Sequence, residues 1–318
     1  MTPAQLKERV LSFRLDDGPR GNQGYSRVLL QLFGYLGHGK SSFINSCKYV
    51  LEDSETYTPY AVAGERSDGG AMTMERKSYE LTENITIVDN RGYGMNNSLE
   101  KAEIYGQLGN FIPIGEKVEW MENYTDMMNR LQDADLNPNY NDFIVPILVH
   151  SAAFNFSDSE RNDVQTFMDN CVKMTGLVPI VVITKKRSGD FIELDKKFRR
   201  MGAEQIIAIE NYTEKDHIRT LGRTNDILTI LHKALDGVRY RLGQGRDARK
   251  EWVERKRFLL EFIHKADLEK RREDEKRREE EKRREEEKRR EEELKNSWLP
   301  WNWFKYLWHK WSAQGPTP

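Results

Sequence analysis

Gly34-Tyr35-Leu36-Gly37-His38-Gly39-Lys40-Ser41 decides how the rest of this chain is read. The stretch fits G-x-x-x-x-G-K-[ST], a glycine-rich loop whose main-chain N–H groups close around a β-phosphate at the positive end of a helix. Its flanks supply the context that chemistry needs. Residues 27–33 before it are apolar and strand-like. Residues 42–51 after it have helical spacing, with Phe43, Cys47, Val50 and Leu51 on one face. Lys40 is expected to reach the β/γ oxygens and the Ser41 hydroxyl to hold Mg2+, with Gly34, Gly37, His38, Gly39 and Ser42 completing the phosphate-binding set. The competing reading is a glycine-rich turn that happens to carry Lys-Ser.

Working outward, Val88-Asp89-Asn90-Arg91-Gly92 closes an apolar run and fits the D-x-x-G of GTPases. There the Asp holds Mg2+ through water and the Gly N–H meets the γ-phosphate, which assigns Asp89 to the metal and Gly92 to catalysis beside Lys40. The preceding loop should bring a threonine to Mg2+. Thr73 is the choice, with Ser67 as its competitor and an ordinary strand-side residue as the plain alternative.

The base-reading signal is incomplete. A strand over 178–183 ends in Thr184-Lys185-Lys186-Arg187, where the pattern T/N-K-x-D would put an acid at residue 187. That acid accepts from guanine N1 and N2, and an arginine has no acceptor to offer. Asp190 substitutes if the loop folds back, and Lys185 can still stack on the base. GTP/GDP is therefore the expected ligand and ATP the alternative. Tyr93 stands where small GTPases place a water-orienting Gln, and Leu36 occupies a loop position where they keep Gly, so turnover should be slow. His38 and Arg91 are candidate substitutes, each with a structural reading beside it. Self-association as a homodimer through this domain would let a second subunit supply the missing charge.

The chain has 318 residues with 51 basic against 52 acidic side chains, and the charges are unevenly spread. Two cysteines in helical stretches imply no disulfide framework and a reducing compartment. The first residues lack a signal peptide's apolar core, and no apolar run nears the ~20 residues of a membrane span. A cytoplasmic protein is expected. Alternating strands and helices imply an α/β fold, a P-loop NTPase of the Ras-like G-domain type with a mostly parallel sheet flanked by helices. A lead-in over 1–26 precedes a G domain over 27–240, with residues 109–140 as an inserted helical element.

An amphipathic helix over 241–268 carries a stripe of Trp252, Val253, Phe258, Leu259, Phe262 and Ile263, which should pack on the domain or on a second copy. Residues 269–295 hold a six-residue repeat, Lys-Arg-Arg-Glu-Asp-Glu and then Lys-Arg-Arg-Glu-Glu-Glu from Lys276, Lys282 and Lys288. A period of six sustains no heptad seam. Glu-before-Lys pairs of ~0.2–0.5 kcal/mol each can hold a solvated single helix, a spacer of roughly 40 Å. A disordered charged linker is the rival reading. Local cancellation of charge argues against a nucleic-acid arm. Residues 296–318 invert the composition: residues 294–318 contain no acid and hold five of the seven tryptophans. A helix opened by Pro300 would place Trp301, Phe304, Leu307, Trp308 and Trp311 on one face. This suits an interfacial membrane anchor, with docking on a protein partner or on the chain's own domain as alternatives.

The stretch over 27–46, RVLLQLFGYLGHGKSSFINS, resembles the P-loop region of the interferon-induced protein 44 family, a vertebrate GTPase-like group linked to antiviral responses. Ile209-Glu210-Asn211-Tyr212 and Asn225-Asp226-Ile227-Leu228 are similar too, and Asn211 joins the nucleotide set on that ground. Immunity-associated and septin-type GTPases share several of these motifs. The resemblance covers residues ~25–240 and implies a cytoplasmic nucleotide-binding protein responsive to interferon. Two functions remain in view: a slowly hydrolysing GTPase-like switch with a membrane-surface anchor, and a nucleotide-binding scaffold of negligible hydrolysis whose tail recruits a protein.

Overall fold

Five runs rich in Val, Ile and Leu and one more polar segment, β2, become strands: β1 (Arg27–Phe33), β2 (Lys77–Thr82), β3 (Ile85–Asp89), β4 (Asp142–Ser151), β5 (Ile180–Thr184) and β6 (Ile206–Ala208). The computed structural model from which they are taken describes residues 1–52, 56–61, 75–92, 97–118, 121, 123–136, 138–155 and 157–312. The strands form one sheet in the order β2-β3-β1-β4-β5-β6. Every neighbouring pair is parallel except β2 with β3, which is an antiparallel hairpin on the sheet's edge. β3, β4 and β5 are buried at every position, as expected of parallel strands covered on both faces. β2 has one polar, exposed side, as suits an edge.

Eight α-helices are described: α1 (Pro3–Leu11), α2 (Lys40–Leu51), α3 (Ser98–Leu108), α4 (Tyr124–Asp133), α5 (Asp158–Thr175), α6 (Phe191–Arg200), α7 (Leu221–Gly243) and α8 (Ala248–Ser312). Side-chain caps fix several starts. Asn97 accepts from the Glu100 N–H at 2.8 Å, and Ser157 with Glu160 forms a capping box at the head of α5. Alternation along β1 divides its side chains between two layers. Val28, Leu30 and Leu32 join the core with α1, α2 and α7. Phe33 packs on Phe167 of α5 with ring centroids 5.2 Å apart, and Tyr105 of α3 lies against the same ring.

The inserted segment expected over 109–140 holds α4. α6 begins at Phe191, earlier than the helix end expected over 196–201, because Asp190 caps it. α8 also departs from expectation: it is one helix from Ala248 to Ser312, and Pro300 lies inside it instead of opening a new one. A proline there removes one backbone N–H and its bond, while Glu-, Lys- and Arg-rich turns keep the rest of the helix favourable.

The chain divides into two compact units, Met1–His264 and the remainder from Lys265. In the first unit the expected stripe of α8 packs on the domain through Trp252, Phe258, Leu259, Phe262 and Ile263, whereas Val253 is exposed and falls outside it. Trp252 meets Phe111 edge-on at 5.5 Å, Phe262 meets Tyr105 at 5.0 Å, and Leu259 and Ile263 are covered. Glu251 compensates the cations buried beneath that helix. It accepts from the Tyr25 hydroxyl at 2.6 Å and from Arg241 at 3.1 Å, and forms ion pairs with Arg246 at 3.2 Å and Arg255 at 4.0 Å. Arg255 is only 2% exposed, and burial lowers its pKa. In the second unit the repeat is solvated, and its charges pair along the helix, as in Arg271–Asp267 at 2.8 Å and Arg277–Asp274 at 2.9 Å.

Removing the Glu251 carboxylate should leave Arg241 and Arg255 buried without a counter-charge. Glu251→Ala is expected to cost about 3–5 kcal/mol in urea denaturation; a loss below about 1 kcal/mol would show that water reaches those guanidiniums.

Candidate functional site

The segments singled out in the sequence share one edge of the sheet. The 34–39 loop follows β1, Asp89 ends β3 with Gly92 just beyond, His150 and Ser151 end β4, Thr184 ends β5, and Asn211 follows β6. All lie at the carboxyl ends of parallel strands. From β1 the sheet continues to β3 on one side and β4 on the other, so the crevice opens where the winding reverses, the usual ligand position in open α/β sheets.

The loop's path is set by close approach. Gly34 has φ 142°, and a Cβ there would lie 2.1 Å from the Val149 carbonyl oxygen. Only glycine lets the main chain pass β4 at that distance. The loop ends at Gly39, φ 91°, from which α2 starts. Lys40, 7% exposed, turns its ammonium back to the Gly34 and Tyr35 carbonyls at 3.0 and 3.2 Å. Burial lowers the Lys40 pKa, and the nearby Asp89 charge opposes that shift. Ser41 donates its hydroxyl to Asp89 Oδ2 at 2.8 Å. Gly92 is so near that a Cβ on it would come 2.9 Å from the Lys40 nitrogen. Lys40, Ser41, Asp89 and Gly92 are thus brought together from two strand ends.

Two further expected residues act on the loop's main chain. Thr184 donates to the His38 carbonyl at 2.7 Å, and the Asn211 amide donates to the Gly39 carbonyl at 3.3 Å. Asn211 is itself held by the Ser46 hydroxyl at 3.3 Å. His38 is buried: its Nδ1 accepts from the Ser151 N–H at 3.3 Å, its ring stacks on Phe154 at 4.9 Å, and the His150 ring meets it edge-on at 4.7 Å. The structural reading of His38 therefore fits its surroundings. Lys185 is exposed at φ 51°, while Lys186 pairs with Asp226 at 2.6 Å. Ser42 contributes its carbonyl to the Ser46 hydroxyl at 2.8 Å. Arg91 sends its guanidinium to the Val118 carbonyl at 2.5 Å. Asp190, the candidate stand-in for the missing acid, caps α6 by accepting from the Glu193 N–H at 3.0 Å. Thr73, Ser67 and Tyr93 lie outside the described residues.

No protein-family model matches this chain, and no curated protein matches it.

The oxygen chemistry of Ser41 and Asp89 suits Mg2+, which takes one or two protein oxygens and otherwise waters and phosphate oxygens. Among the described residues no group of three or more His, Cys, Asp or Glu side chains forms an all-protein cage. Sequence reading missed the ring cluster of His150 and Phe154, whose residues carry no spacing signal. It also missed Arg76, fully buried behind the site, which binds Asn90 Oδ1 at 2.9 Å, Asn110 Oδ1 at 3.1 Å and the Ile112 carbonyl. Burial pushes the Arg76 pKa down to about 9.

His150 should make the fold acid-sensitive. Burial lowers its pKa from 6.5 to about 4, so its neutral form is the one the fold accommodates. Its contribution is complete above the unfolded pKa and is lost as pH falls from 6.5 toward 4, roughly 2 kcal/mol of it by pH 5. Urea midpoints compared at neutral pH and near pH 5 should fall further for the native chain than for His150→Gln; equal falls would assign the acid sensitivity elsewhere.

Proposed function

We propose that this chain binds a guanine nucleotide with Mg2+ at the crevice beyond β1 and hydrolyses GTP slowly. The observation that carries the reading is the 2.8 Å contact between Ser41 and Asp89, with the buried Lys40 ammonium and Gly92 beside it. Two motifs separated in sequence meet as a hydroxyl and a carboxylate fit to share one Mg2+, next to a cation suited to β/γ oxygens. The sheet order with its single antiparallel strand supports a P-loop NTPase of the Ras-like G-domain type. On this reading Gly34, Gly37, His38, Gly39 and Ser42 lend the phosphate-facing main chain, and Thr184 and Asn211 hold it in shape. Leu36 at a position small GTPases reserve for glycine favours slow turnover. Membership of the interferon-induced protein 44 family, and an antiviral role with it, is part of the same proposal and rests on the motif resemblance.

The far end of α8 is assigned to an anionic lipid surface. At about 100° per residue, Trp303, Leu307, Trp311, Phe304, Trp308 and Trp301 fill an apolar arc of roughly 160°. All six are exposed. Lys310 and Lys305 fall at the two borders of that arc, where their stems can lie along the apolar zone while the ammoniums reach headgroup phosphates. Charges on both borders suit a flat anionic plane better than a groove in a protein. No described helix is long and apolar enough to cross a membrane.

Titration with a fluorescent GTP analogue should give Mg2+-dependent binding that Lys40→Ala weakens by roughly 10- to 100-fold. Ser41→Ala should lower the response to Mg2+, and the slow release of phosphate should vanish with Lys40→Ala. Binding indifferent to Lys40→Ala and to EDTA would sink the nucleotide reading. For the tail, the full chain should pellet with phosphatidylserine-containing vesicles, less with pure phosphatidylcholine, and little after Trp301, Trp308 and Trp311 are changed to Ser. Equal pelleting of both proteins would overturn the assignment of the aromatic arc to a lipid surface.

A further inference from the structure

The missing acid at position 187 leaves the base-binding side of the site without its expected acceptor, yet the structure brings a different carboxylate there. The turns after β5 and β6 leave adjacent parallel strands, with Ile183 paired to Ala208. Thr184 from one turn and Asn211 from the other grip consecutive carbonyls of the phosphate loop, those of His38 and Gly39. Both turns therefore lie on one flank of that loop. At their junction the Glu210 carboxylate accepts, through Oε2, from the Arg187 main-chain N–H at 3.2 Å.

The segment carrying Glu210 is firmly placed. The buried Arg223 guanidinium donates to the Glu210 carbonyl at 3.3 Å and to the Asn211 carbonyl at 2.5 Å, and it lies 4.1 Å over the Tyr212 ring. Neighbouring acids have other tasks: Asp226 pairs with Lys186, Asp216 with Arg223, and Asp190 caps α6. Glu210 is partly exposed, and Lys185, two residues before Arg187 in the same turn, is open to solvent.

We propose that Glu210 is the guanine-reading acceptor of this site, its carboxylate taking the N1–H and N2–H donors of the base while the Lys185 stem lies against the ring. The proposal rests on the nucleotide reading above. Guanine offers two donors on that edge. Adenine offers a lone pair at N1 and only a C–H at C2, so a carboxylate there would meet an acceptor and lose both bonds. A site built to hydrogen-bond a group rejects the analogue lacking it.

The test is a set of affinities for GDP, IDP, XDP and ADP, measured on the full chain and on Glu210→Gln, with thermal midpoints as a folding control. The native chain should prefer GDP and lose roughly 10-fold or more for IDP, which lacks the 2-amino group, and more for ADP. Glutamine retains an oxygen for the Arg187 N–H but presents an amide donor. It should therefore weaken GDP by roughly 10- to 100-fold and shift preference toward XDP, whose C2 oxygen accepts. Glu210→Asp, which keeps the charge, should retain the order GDP over XDP. A GDP/XDP ratio unchanged in Glu210→Gln would overturn the assignment. Native affinities equal for GDP and ADP would also overturn it while leaving the phosphate site intact. Failure of every nucleotide to bind would overturn both this inference and the reading beneath it.

Discussion

The Lys40 ammonium is a buried cation held mainly by neutral oxygens, and much of the surrounding structure answers to that fact. Two main-chain carbonyls, from Gly34 and Tyr35, partly replace its lost hydration, and the Asp89 carboxylate supports its charged form. A buried charge on these terms is tolerable only if the carbonyls stay where they are. The loop that carries them is accordingly tied down at both ends. Val149 presses on Gly34, Ser151 holds the His38 ring, and Thr184 and Asn211 hold the His38 and Gly39 carbonyls. Four strand ends thus cooperate in keeping one positive charge out of water.

The contrast with Glu251 is instructive. Beneath α8 a carboxylate gathers Arg241, Arg246 and the Tyr25 hydroxyl, close to Arg255, so the charge is largely compensated within the protein. At Lys40 the compensation is incomplete, since the contacts at hydrogen-bond distance are both carbonyls. On the nucleotide reading proposed above, a bound phosphate would complete that compensation.

How much of this was legible in the sequence follows from how local each signal is. Strand, glycine loop and helix over 27–51 were readable because the periodicity and the loop pattern are adjacent in the chain. The meeting of Ser41 with Asp89 was readable because both belong to motifs with known offsets. His38 against His150 and Phe154 was not, since it depends on where β4 ends beside β1, and neither residue type nor spacing announces it. Arg76 was hidden for a similar reason: its partners, Gln31, Asn90, and Asn110 with Ile112, come from three separate segments. Glu210 was visible only as part of a resemblance, because an acceptor displaced from position 187 to the next strand's turn breaks the pattern while leaving a carboxylate nearby. Pro300 misled because local preference favours it at helix starts, while continuity of the turns on either side decided the outcome.

The six-residue repeat of α8 has an electrical consequence. Each repeat advances the helix by roughly 600°, so like charges step about the axis by a third of a turn and no side is left wholly basic or wholly acidic. Each repeat also sums to zero, with three cations and three anions. Such a rod offers a second helix no seam and exerts little field on a charged plane beyond a Debye length. The sign of charge at the aromatic end is then set by Lys295, Lys305 and Lys310 alone, undiluted by the long polar stretch that precedes them.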